Sequence, residues 1–126
     1  MGVLMYKTTK KDFEEFKKEC WFWINYFGLQ SYEWDIRHET PSTKDARADY
    51  EVLYKPRYVC VRLNIFWSVN KSKNEIKVCA FHEICHIMLL GLSEMAYNFY
   101  SDGRVVIEEH RIISILENTL FKEKRK

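Results

Sequence analysis

The stretch "CAFHEICHIML", residues 79–89, decides how this chain is read. Its apolar residues run round every side of a helix, so the segment has no solvent face and belongs in a core. Yet it carries His82, Glu83 and His86 within five positions. Working outward, the helix extends from about Ser72 to Leu90. Ser72 and Glu75 have the spacing of a capping box, and Gly91 stands where helices end.

Upstream, a first helix is expected from about Thr9 to Phe27. Thr9 and Asp12 can cap its start, and Phe13, Phe16, Cys20, Trp23, Ile24 and Phe27 form one apolar stripe. Gly28 ends it. The aromatic group Trp21, Phe22, Trp23, Tyr26 and Phe27 is wider than one stripe needs and is assigned to the core. Three period-two segments follow: "YEWDIRHE" (32–39), "ARADYEVLY" (46–54) and "YVCVRLNIFW" (58–67). The polar "PSTKDA" (41–46) and the break "KPR" (55–57) separate them. One apolar and one polar face suit a mainly antiparallel three-stranded sheet with helices on one side. "GLSEMAYNFYSDGR" (91–104) reads as a loop, and a third helix is expected from about Arg104 to Phe121, capped by Ser101 or Asp102. Strands clustered before helices imply a single α+β domain rather than a doubly wound sheet. The tail "KEKRK" (122–126) is expected to fray.

Composition narrows the function classes. A chain of 126 residues with 47% hydrophobic content forms one domain with a real core. A net charge of +2 does not call for a nucleic-acid surface. The four cysteines, at 20, 60, 79 and 85, contain no C-x-x-C pair, which argues against a zinc ribbon or a thioredoxin-like site. Cys85 reads as a small core residue. No apolar stretch suggests a signal peptide or a membrane span, and Tyr6 replaces the hydroxyl residue of a myristoylation signal. A cytoplasmic protein with reduced cysteines is expected.

The polar trio explains itself through metal chemistry. Histidines four apart project from one helix face, one turn from each other, and can reach one ion of zinc's size. Glu83 follows His82 about 100° round the helix. There it can sit beside a metal and take a proton from water. The alternative, two core histidines with a buried unpaired carboxylate, is expensive.

A catalytic zinc keeps three protein ligands and an open position. The third comes from Glu108, Glu109 or His110 on the third helix. Glu109 has Val105, Val106, Ile112 and Ile113 at helical spacing, which puts it at the centre of the apolar stripe and makes it the favoured ligand. Glu108 faces Arg104 and Arg111. His110 can be a ligand, an outer partner or a core histidine.

HEICH on a buried helix, followed by an acidic residue on a later helix, resembles the gluzincin branch of the zincin metallopeptidases. The likeness is to minimal members: ImmA/IrrE-type proteins, SprT-like domains and small phage-encoded HExxH proteins. An N-terminal helix, three strands with Leu63-Asn64 before the motif, and "EEHRIISILEN" (108–118) extend it over most of the chain. The resemblance implies a zinc-dependent peptidase acting on peptide or protein substrates. His82, His86 and Glu109 would hold one Zn2+, and Glu83 would activate the water. SprT-like domains usually use a third histidine, which keeps His110 open. The Ala-Asn or Ala-Asp that follows the third-helix Glu in the ImmA/IrrE pattern is absent. The alternatives are a catalytically silent zinc-binding adaptor and a phage accessory protein whose metal stabilises the fold. Tyr97 and Tyr100 lie near enough in sequence to reach the site but read as ordinary packing residues, and His38 as structural. A free edge on the "YVCVRLNIF" strand is the expected place for an extended peptide.

Overall fold

The computed structural model describes residues 5–42, 45–53 and 57–125. Thr43 and Lys44 of the expected connection, Tyr54 of the expected second strand, Lys55 and Pro56 of the expected break, the first four residues and Lys126 lie outside the described residues. Helix α1 spans Lys10–Tyr26. The Thr9 hydroxyl accepts from the Asp12 amide at 3.1 Å, and the Thr9 amide donates to the Asp12 carboxylate at 2.8 Å, so the capping box is complete. Gly28, at φ +70°, takes the left-handed conformation that ends the helix.

The stripe of α1 packs on helix α2, Lys73–Met88. Trp23 is fully buried between them and meets the Phe81 ring edge-on, with centroids 4.5 Å apart. The aromatic group is split, however. Trp23 and Phe27 face the core, whereas Trp21, Phe22 and Tyr26 are exposed on the outer side of α1.

The sheet proper has β2 (Glu33–His38), β4 (Tyr58–Leu63) and β3 (Ala48–Leu53), side by side in that order. β3 runs antiparallel to β4, but β2 runs parallel to it, so the sheet is mixed. Two chain reversals leave β4 pointing the same way as β2. Its place between the other two strands turns one pairing parallel. β4 is therefore the central strand, with partners on both sides, and offers no free edge; the edges of this sheet are β2 and β3. Val59, Val61 and Leu63 are buried on β4, and β3 packs on α2. A two-residue ladder joins β1 (Tyr6–Lys7) to β5 (Phe66–Trp67). His38 is structural: it hydrogen-bonds Thr8 at 2.7 Å and stacks on Phe13.

The segment expected as a loop contains helix α3, Leu90–Ala96, bent 56° from α2. Gly91 lies inside it rather than ending α2, and burial of Leu90 and Ser93 holds it down. Helix α4, Asp102–Leu116, starts at Ser101, whose hydroxyl accepts from the Arg104 amide at 3.3 Å. It widens into a π-helical turn, Glu117–Phe121, and closes with the short helix α5, Lys122–Lys124. Among the described residues no single helix is long and apolar enough to cross a membrane.

The tail through Arg125 does not fray. Its guanidinium makes two bonds, 2.8 and 2.7 Å, to the buried carboxylate of Glu19, which also accepts from the Trp23 indole at 2.9 Å. It lies over the Phe22 ring, 3.8 Å from the centroid. Arg125→Ala leaves Glu19 short of its cationic partner and is expected to cost about 1–3 kcal/mol in urea unfolding. Arg125→Lys restores only part, because an ammonium lacks the two-pronged geometry.

Candidate metal centre

α2 carries His82 and His86 on one face, with ring centroids 4.9 Å apart and Nε2 atoms 3.2 Å apart. α4 sets His110 against both, its centroid 5.3 Å from that of His82 and 5.0 Å from that of His86. One ligand atom from each ring lies within 4.8 Å of the others, so these three histidines are close enough to hold one metal ion. Two nitrogens on a tetrahedral zinc sit about 3.3 Å apart, and the His82–His86 separation matches this.

The opposite ring nitrogens fix what converges. His110 Nδ1 lies 3.0 Å from the Val106 carbonyl, which can only accept, so Nδ1 carries the proton and Nε2 a lone pair. His86 Nδ1 donates to Glu109 Oε1, which leaves its Nε2 as the lone pair facing His82. His86 is held well below its ordinary range, to about 4, by burial first and then by His82; its contact with Glu109 opposes the shift. It is neutral at pH 7. Lone pairs brought this close repel unless a proton or a metal ion lies between them.

Glu109 therefore occupies a different place from the one expected. Its carboxylate is buried, but on the Nδ1 side of His86, away from His82. Its other oxygen accepts from the Ser93 hydroxyl at 2.5 Å. This is the arrangement of a carboxylate that orients a metal-binding imidazole. His110, largely exposed, takes the position expected for Glu109. Glu108 points outward and pairs with Arg111.

Glu83 is buried, and among the described residues no hydrogen bond or ion pair holds its carboxyl. Burial pushes it well above the usual carboxylate range, and Asp49 adds to the shift. Burial first, and then Glu83, pushes up the thiols of Cys79, one turn before it, and Cys20 on α1.

Three contributors lay outside the sequence reading. Tyr50 of β3 stacks on His86, with centroids 5.1 Å apart, and ties the edge strand to the site. Ser93 lies in the segment read as loop. Glu117 faces His82, its Oε2 3.6 Å from Nδ1. A signal for Glu117 existed, since it follows His110 by seven residues and shares its helix face. Tyr97 is half-buried, and its hydroxyl is raised by burial first and then by Glu109. Tyr100 is exposed against Arg104. Set against protein-family models, curated proteins and solved structures, the chain finds no match in any of the three.

Proposed function

We propose that this chain is a zinc-dependent peptidase whose metal is held by His82, His86 and His110. The observation that carries the proposal is the convergence of three imidazoles whose Nε2 lone pairs at His86 and His110 are dictated by acceptors on their Nδ1 atoms. Bound zinc supplies a Lewis acid that polarises a carbonyl and makes water acidic. The chain's own residues do the rest. Glu109, braced by Ser93, holds the ring of His86 in its metal-binding tautomer. Glu83, next to the first ligand, is the assigned base, because a carboxylate beside the bound ion can take a proton from water. β3 supports the peptide assignment. It is an edge strand, no strand pairs with its outer side among the described residues, and Tyr50 brings it against His86.

One observation favours the second reading, a zinc-binding module without catalysis. Glu83 is only 8% exposed, with the buried thiol of Cys20 and the half-buried thiol of Cys79 as well as Asp49 among its neighbours. Glu83→Gln separates the two. Cleavage of a broad peptide library by the zinc-loaded wild type, lost in the variant with zinc retained, supports the peptidase. No cleavage by the wild type supports the module.

A further inference from the structure

The three imidazoles differ in one respect. His86 and His110 each have a hydrogen bond on Nδ1, whereas among the described residues His82 has none there. What faces its Nδ1 is the Glu117 carboxylate at 3.6 Å, beyond a hydrogen bond but within a small side-chain rotation of one. Both side chains are mostly shielded, at 29% and 22% exposure.

Glu117 stands where the helix changes pitch. It is the first residue of the π-helical turn, a form that is rare and concentrated at functional sites. On an uninterrupted α-helix Phe121 would sit about 80° round from Ile113, eight residues earlier. The wider turn brings Phe121 back toward that line, and both are buried. Phe121 packs on Phe81, with centroids 5.3 Å apart, and Arg125 grips Glu19 just beyond. The turn is therefore pinned on both sides, by α4 before it and by the Phe121 and Arg125 contacts after it. Glu117 is held over the α2 face that carries His82.

We propose that Glu117 is the positioning carboxylate of His82. On metal binding it accepts the His82 Nδ1 proton in a hydrogen bond, and so fixes the ring with Nε2 toward the ion. The regular spacing of α4 puts Glu117 on the face of His110, and the π-helical turn that starts there lets Phe121 and Arg125 anchor the chain just beyond it. The inference rests on the three-histidine metal site and adds a residue to it. It gives each ligand its own acceptor: Glu117 for His82, Glu109 for His86 and the Val106 carbonyl for His110.

The test compares the wild type, Glu117→Ala, Glu117→Gln and His82→Ala as full chains. Zn2+ affinity is measured by competition with a chromophoric chelator. The Co2+-loaded visible spectrum and the histidine 15N–1H correlation spectrum are also recorded. Glu117→Ala is expected to weaken Zn2+ about 10–100-fold, to change the Co2+ spectrum and to leave His82 in mixed tautomers. Glu117→Gln keeps a carbonyl acceptor at the same reach and should recover most of the affinity. Metal-free circular dichroism identical to wild type shows that these changes are not unfolding. Wild-type affinity and Co2+ spectrum in Glu117→Ala would overturn the inference alone, provided His82→Ala has lost the metal. A wild type that binds no metal would overturn the three-histidine site, and this inference with it.

Discussion

His86→Ala is expected to abolish stoichiometric zinc binding. The residue is the most constrained of the three ligands: buried, stacked on Tyr50, neutral, and fixed through Nδ1 by Glu109. Removing it takes away a ligand and leaves the buried Glu109 carboxylate with only Ser93. The loss of affinity should exceed the 10–100-fold typical of an outer partner, and equilibrium dialysis against a metal buffer will measure it. His110→Ala should behave like His86→Ala. Glu109→Gln should fall within the outer-partner range, because Gln still presents an oxygen to His86. The reverse order, with Glu109→Gln losing the metal and His110→Ala keeping it, would restore the carboxylate as the third ligand.

Glu83→Gln is expected to do two opposite things. It removes peptidase activity, because an amide cannot take a proton from water, while zinc stays bound. It also stabilises the metal-free protein. The Glu83 carboxyl is buried, no hydrogen bond or cation holds it among the described residues, and in the folded state its proton affinity is raised by burial and by Asp49. Below its ordinary value of 4.5 it is protonated in both the folded and unfolded chains and has no effect on the balance. As pH rises past that value the unfolded chain ionises first, the folded chain binds the extra proton, and stability falls. The variant lacks this loss. The two metal-free proteins should therefore unfold alike near pH 4 and diverge upward. At neutral pH the variant should be the more stable of the two, because its amide does not ionise when the chain unfolds. A variant less stable than wild type at neutral pH would show that Glu83 has a partner in solution.

The sequence made much of this architecture legible, for identifiable reasons. The Thr9–Asp12 cap, the α1 stripe and the all-round apolar α2 are local patterns, and local patterns survive folding. The His82–His86 pair is visible because one helix carries both. Strand order was not visible, since alternation reveals which face of a strand is buried but not which neighbour it pairs with. Helix α3 was hidden by Gly91, whose usual role is to stop helices, and by the exposed apolar residues Leu92 and Met95.

The third ligand is the most instructive case. The flanking residues correctly placed Glu109 in the buried seam of α4. A metal centre that keeps an open position, however, lies at the rim of such a seam, where substrate can reach it. The proposed ligand is then His110, on the stripe's flank, and the residue at its centre contacts His86 from behind. The π-helical turn has no comparable sequence signature, so the return of Phe121 and Arg125 to the core became visible only in the structure, whereas the seven-residue spacing from His110 to Glu117 was there to be read.

The measurement that bears most directly on the three-histidine centre is X-ray absorption at the zinc edge of protein loaded with one equivalent of Zn2+. Three imidazole scatterers and one further light atom, with nitrogen distances of about 2.0–2.1 Å, are the predicted result. Two imidazoles with a carboxylate, or no bound zinc to measure, would contradict it.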